Sequence, residues 1–433
     1  MKTAGAGAAA AGMAGMAGRD LLGQMFPRGV QAAKKPPVER IPIDSAIIIG
    51  GGVAGLTAAY LLTQRGVCTV TVLEACHRPG GRIQTKYYPD GTYACVAYSE
   101  TYPKSMDPET HWLLGELGLG GLCTAIPDIT YYNWRGEYHY QTGSWQGFLN
   151  SLPFDDEAGG AAFYETEDVF WYAEKDLVWP LTEGLYPTLD YTDFEDWMLW
   201  TEHKKKGTVP HWRSDVSELW DISLRAETGV NSYPVSAAWG HVAGVYWECP
   251  SQFLQLKGGN YQIVEELMTK LPAGSVKLGE PVTSVTNLDP TTVQVESNKG
   301  TYTADVAIVA VPHNKVASIV PELPSNKVAS LAGMGQAKNF IAMQQYSERF
   351  WETIHGVKGW GGYSDHGDYG NYPTNQPGAY CVNNETVNQT GTTGIISTYI
   401  NEPEATPLWD PTKIHGIHAV GSLKECHNGN CDS

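Results

Sequence analysis

The chain has 433 residues, 42% hydrophobic and 18% charged, enough apolar mass for two or three packed domains, which excludes bulk disorder. Its formal net charge of −18 excludes a basic face for phosphate backbones, so nucleic acid is not an expected partner. An acidic surface suits cationic small molecules, and the 14 Trp and 24 Tyr supply core packing with a few rings to line a cavity.

Residues 1–43 read as tail and linker. The Ala/Gly run from Lys2 to Gly18 is too short and Gly-rich to form a membrane span. It resembles the middle of a twin-arginine export signal without the paired arginines, which implies a periplasmic or secreted protein. A flexible tail on a cytoplasmic protein is the alternative. Next comes Ala46 to Ile49, a short apolar run bounded by glycine, hence a buried parallel strand. Gly50, Gly52 and Gly55 follow in G-x-G-x-x-G spacing. Gly50 permits the tight turn, Gly52 lets the backbone approach a pyrophosphate, and Gly55 lets helix pack on strand. Val53 and Ala54 open a helix whose bare N–H groups and positive dipole end face the phosphates. Leu56, Ala59, Tyr60 and Leu62 give that helix one apolar face, and Gly66 ends it. A second strand runs from Thr69 to Leu73. Glu74 closes it about 20 residues beyond the last glycine, where a carboxylate accepts from ribose hydroxyls.

The run Glu74-Ala75-Cys76-His77-Arg78-Pro79-Gly80-Gly81-Arg82 resembles the E-A-x-x-R-x-G-G-R signature of the flavin-containing amine oxidase superfamily. That resemblance implies an α/β fold: a Rossmann-like FAD-binding domain with an inserted mixed α+β substrate domain. It also implies FAD as cofactor. Glycines 80 and 81 would let the backbone lie against it, and Arg78 and Arg82 would grip phosphate oxygens. The expected division is FAD-binding at 44–105 and 253–330, and substrate-binding at 106–252 and 331–412. Residues 413–433 would be a degenerate C-terminal flavin segment and tail.

After Arg82 the superfamily carries a second glycine-containing cofactor segment. Here Gly91 to Pro103 lacks its Gly-Ala pair. Asp107 to Leu117 reads as a helix with His111, Leu113, Leu114 and Leu117 on a packed face. Residues 120–254 are aromatic and carry no motif. Lys257-Gly258-Gly259-Asn260 resembles the superfamily's mid-chain glycine pair, and a helix with Ile263, Val264, Leu267 and Leu271 on one face follows. Strands are expected at 276–278, 281–285, 292–296 and from Tyr302 through Val311, with a hairpin turn at Asn298 to Gly300. By resemblance, Val282 offers its backbone to adenine and the last strand returns under the cofactor to Pro312. Lys315, in a loop just past it, is the candidate for the lysine that many oxidases place beside the flavin. The alternative for Lys315 is a solvated loop residue. Residues 335–350 and 394–400 read as strands of the substrate domain. Gly421 lies in a stretch that faintly resembles the last flavin-contacting strand.

Among eight cysteines, Cys68 falls in the first βα unit and Cys76 in the expected cofactor turn, and both are expected as free thiols. No metal site is expected. The sequons at Asn384 and Asn388 indicate only a polar loop. G-x-S-x-G and H-E-x-x-H are both absent, so no hydrolase motif competes. The leading expectation is an FAD-dependent oxidase, taking hydride from the carbon of an amine or L-amino acid and using O2 as acceptor. The alternatives are a desaturase-like flavoenzyme acting on C–C bonds, and a non-catalytic subunit. In the last case a homo- or hetero-oligomeric partner would complete the flavin site.

Overall fold

Four consecutive apolar residues, Ala46 to Ile49, favour extended backbone and form most of β1 (Ser45–Ile49). The computed structural model describes residues 42–97, 107–126, 131–135, 137–140, 145–162, 192–194, 196, 213–228, 235–237, 239–240, 254–337, 339–354, 356, 361–364 and 379–400. β1 lies between β2 (Thr69–Leu73) and β13 (Val306–Val309), with β9 (Val276–Lys277) beyond β2. All of these pairs are parallel.

α1 (Val53–Gln64) makes the crossover from β1 to β2. Gly66 ends it at φ +59°, its N–H donating to Thr63 O while Val67 N–H reaches back to Leu62 O. That pair of bonds is the left-handed glycine cap expected there.

Alternation along β1 sends its residues into two cores. Ala46 and Ile48 pack with Leu56, Ala59 and Tyr60 of α1 and with Ile263, Val264 and Leu267 of α5 (Tyr261–Lys270). α2 (Pro108–Glu116) joins this same core through Leu113 and Leu114, with Leu117 just beyond its end. His111 stays half-exposed. Ile47, Ile49 and Leu73 face the other way, onto Val285, Val293, Val295 and Ala304. Those belong to an antiparallel meander of β10 (Val282–Asp289), β11 (Thr292–Ser297) and β12 (Thr301–Ala304). Each fully buried Ile or Leu adds about 1.5–3 kcal/mol. The result is three layers: helices, parallel sheet, meander.

The strand expected from Tyr302 through Val311 is two strands. β12 closes the meander, and β13 joins the parallel sheet. The break falls at Asp305, whose Oδ2 accepts from the N–H groups of Asp44 (2.7 Å) and Ser45 (2.9 Å) and so pins the corner to the start of β1.

A second sheet has six strands in the order β14 (Phe340–Tyr346), β17 (Gly394–Ile400), β16 (Ala379–Asn384), β15 (Gly361–Ser364), β6 (Tyr131–Trp134) and β7 (Glu137–Tyr140). Two distant stretches of chain thus share one sheet. α3 (Trp145–Leu149) stacks Phe148 on Tyr132, and α4 (Ser214–Thr228) buries Val216, Leu219, Trp220 and Ile222. The hairpin β3 (Gln84–Tyr87) and β4 (Tyr93–Ala97) connects the halves: Gln389 exchanges hydrogen bonds with the backbone of Tyr93, and Cys95 N–H donates to Glu385. Gly91, where the superfamily's second cofactor glycines would begin, is the φ +85° residue of this hairpin's turn. The first sequon runs from the end of β16 into a turn whose Glu385 and Thr386 are fully buried. Among the described residues no helix is long and apolar enough to cross a membrane, and no cluster of metal ligands occurs.

Candidate cofactor site

The three glycines of the first turn are there for different reasons. Gly50 has φ +107°, and a Cβ on it would run into the carbonyl oxygen of Ala310 at the end of β13. A Cβ on Gly55 would run into the carbonyl oxygen of Gly50. Both positions are closed by the protein's own backbone. Gly52 is ordinary in conformation, with φ −70°, and a Cβ there would meet no protein atom within 4 Å. It caps α1, with Leu56 N–H bonded to its carbonyl, and Val53 and Ala54 sit at the open helix end with Ala54 exposed. The fold alone does not require glycine at 52, whereas a pyrophosphate at this helix end does.

The second glycine turn lies on the first. Gly80 N–H donates to Gly51 O at 2.7 Å, and Gly80 pairs with Gly52 in a short parallel bridge. Gly80 has φ +103° and is backed by Val264 and Tyr261 of α5, and a Cβ on Gly81 would stand 3.3 Å from the Gly52 Cα. The two turns therefore bracket one cradle.

Glu74, nearly buried, is the staple between them. Its Oε2 accepts from Gly51 N–H at 2.5 Å and its Oε1 from Cys76 N–H at 2.8 Å. Each oxygen keeps lone-pair capacity for a hydroxyl. Ala75 is exposed beside it. The segment leading into β10, far along the chain, closes this edge, with Glu280 N–H bonded to Glu74 O and Gly279 N–H to Cys76 O, both at 2.8 Å. Val282, half-buried, starts β10 two residues later. Glu280 is buried and accepts from Tyr302 Oη at 2.5 Å and Ser297 Oγ at 2.8 Å. Burial pushes its carboxyl up, but those two hydrogen bonds, with Lys277 and Lys299 nearby, hold it below the ordinary carboxylate range.

Arg78 is half-buried, with Nη1 reaching Pro79 O at 3.4 Å, while Arg82 is exposed next to Gly81. The mid-chain glycines adjoin the same region. Gly259, at φ +93°, has room for no side chain beside Thr85, and Tyr87 Oη donates to Gly258 O. Pro312 sits at the N-cap of α6 (His313–Ile319). Lys315 is therefore on a helix rather than in a loop, half-exposed, and α6 leads by Ile319 and Val320 onto the meander core. α7 (Ser325–Gly333) follows, and α8 (Phe350–Thr353) buries Trp351. Gly421 lies outside the described residues. Cys68 is free as expected, but Cys76 is disulfide-bonded. Its place in a turn gave no hint of the bond.

Sequence reasoning missed Asp305 and Glu280. Each had a signal: an acid between two β-favouring runs, and an acid before a proline at a strand start.

Residues 53–417 match the family model described as flavin containing amine oxidoreductase. The chain is 26% identical over 320 residues to "Amine oxidase [flavin-containing] A" of Sus scrofa, covering 71% of this chain and 57% of that relative. It is 27% identical over 319 residues to an L-amino acid dehydrogenase of Synechocystis sp., covering 70% of this chain and 64% of the relative. The chain thus spans less than two thirds of the length of these curated relatives. Among solved structures, putrescine oxidase bound to putrescine superposes with a TM-score of 0.66 at 19% identity, covering 86% of this chain and 78% of that one, a likeness of fold.

Proposed function

Because this chain belongs to the flavin containing amine oxidoreductase family, we propose that it is an FAD-dependent enzyme that oxidises an amine or an L-amino acid. The observation that carries the reading is Gly52: the fold leaves its Cβ direction open, with Glu74 stapled on one side and Gly80-Gly81 laid on the other. These groups fit a dinucleotide. The N–H groups of Val53, Ala54 and Gly55 would hold the pyrophosphate, the spare lone pairs of Glu74 the adenosine ribose, and the Val282 backbone the adenine. Arg82 stands exposed beside the cradle, with a planar fork suited to phosphate oxygens. When bound, FAD would supply the two-electron acceptor, taking hydride at N5 from the carbon bearing the amine to give an imine, with O2 then reduced to hydrogen peroxide.

The chain's own part is to bind, orient and exclude water. Lys315 is kept as the lysine that would orient a water near the reacting end, and α6 carries it three residues past Pro312. Lys315→Met should then slow reoxidation more than reduction, as separated by stopped-flow.

The experiment that tests the reading is a visible spectrum of the purified protein before and after incubation with FAD. It is followed by peroxide release with a panel of amines and L-amino acids. A protein that takes up no flavin would overturn the proposal.

A further inference from the structure

The ribbon of β5 (Cys123–Ala125) and β8 (Leu254–Leu256) lies between the helical core and the six-stranded sheet. Leu256 points into the helical core. Asn388 of the turn after β16 donates to Ala125 O at 3.1 Å, tying the ribbon to the second sheet. β8 then runs into the Gly258-Gly259 turn beside the hairpin. Residues alternate across a strand, so Gln255 points away from Leu256 and away from the helical core.

Gln255 is 1% exposed, and among the described residues neither its Oε1 nor its Nε2 has a hydrogen-bond partner. A nearby glutamine shows the contrast. Gln389, at the same junction, receives Tyr93 N–H at Oε1 and donates from Nε2 to Tyr93 O and Glu385 O. Folds rarely keep a fully buried carboxamide with neither end bonded, because both groups have lost water and gained nothing. Such a group is retained where its partner arrives from outside, and ligand sites favour junctions between folded units.

We infer that Gln255 faces a ligand. Because donor and acceptor are both open, that ligand presents a donor beside an acceptor. Two sources share this chemistry: the ammonium and carboxylate of an α-amino acid, and the pyrimidine edge of the flavin ring. The inference rests on the flavoenzyme reading for the identity of the ligand, but not for the orphaned amide itself.

The test uses Gln255→Leu, a near-isostere without polar atoms. First, the thermal midpoint of the cofactor-free protein is compared with wild type. If the amide waits for a ligand, its removal leaves the midpoint equal or higher. Second, calorimetry measures FAD binding to the cofactor-free protein and L-leucine binding to the FAD-loaded protein. A loss of tenfold or more in FAD affinity assigns the amide to the flavin edge. The same loss confined to L-leucine assigns it to the amino-acid head group. In the latter case Gln255→Glu, which has no donor, should also lose L-leucine while keeping putrescine, which has no carboxylate. A lower midpoint or an unfolded variant would show that the amide is bonded within the protein, directly or through water, and would overturn the inference. So would both affinities staying within twofold of wild type. Wild-type protein that binds no FAD overturns the proposed function instead, and the midpoint comparison still decides the role of Gln255.

Discussion

A single methyl group separates the glycines of the first turn. Gly50 faces Ala310 of a strand some 260 positions away, so its need for glycine depends on a partner that local spacing does not show. Gly50→Ala should destabilise the protein by about 1–3 kcal/mol, since it adds a backbone clash to an unfavourable φ. Gly52→Val should behave differently: urea unfolding of the cofactor-free protein within about 0.5 kcal/mol of wild type, with FAD binding abolished. If Gly52→Val unfolds instead, the open space is not a ligand cradle. Glu74 was legible as an acid at the end of β2, but its bonds to Gly51 and Cys76 were not, because backbone donors leave no trace in a motif. Glu74→Ala should therefore show two effects. FAD affinity should fall by about 10- to 150-fold, and the cofactor-free protein should also weaken, each through lost charge-assisted hydrogen bonds worth about 1.5–3 kcal/mol. Titration with FAD and urea unfolding measure them separately, and a loss of affinity with unchanged stability would place the staple elsewhere.

At the scale of elements, periodicity carried most of what was legible. α1, α2 and α5 each bury one face, and Asp107 and Gly66 mark real ends. Asp107 Oδ1 caps α2 by accepting from Thr110 N–H at 3.1 Å. The split of β12 from β13 was not legible, because both halves are built of residues that favour extended backbone. What separates them is a carboxylate at Asp305 bonded to residues at the far end of the domain. The six-stranded sheet was legible only in part. Its strands at 340–346 and 394–400 stand out as runs rich in apolar and β-branched residues, whereas β6 and β15 are short and pair across more than 200 residues. Glu280 shows how one buried side chain ties elements together, linking the start of β10 to Ser297 of β11 and Tyr302 of β12. Glu280→Ala takes the acceptor from the Tyr302 hydroxyl and one of two from the Ser297 hydroxyl, and should cost about 1.5–3 kcal/mol. Glu280→Gln keeps one acceptor and should cost less. Equal unfolding midpoints for both variants and wild type would mean the meander does not depend on this link.

For the whole molecule, acid is the informative perturbation. Several carboxyls sit below their ordinary range for local reasons. Arg213 holds Asp156 down, Thr92 holds Asp90, Thr291 holds Asp289, and the N–H groups of Asp44 and Ser45 hold Asp305. Asp215 and Glu280 are pushed up by burial, but their hydrogen bonds prevail and both are lowered. An acid with a lowered folded pKa binds its proton more readily when unfolded. Its contribution is complete above the unfolded value of about 4 and is lost as pH falls through the folded value below that. His139 is lowered by burial, opposed by Glu137. Being a base, it contributes stability that is complete above about pH 6.5 and declines as pH falls from there. Opposing it, the net charge of −18 shrinks toward the pI of about 5.0, which relieves self-repulsion over the same interval. The two effects respond differently to salt: screening with a Debye length of about 8 Å at 0.15 M removes most of the long-range repulsion and little of the cost of charging a buried His139. At high salt the thermal midpoint should therefore decline gently from pH 7 to 5, and His139→Gln should flatten that limb. Below about pH 4 the midpoint should fall steeply in both proteins, because many carboxylates lose their bonds together. A midpoint that holds from pH 7 to 3 would mean these carboxylates are no better bonded in the fold than in the open chain.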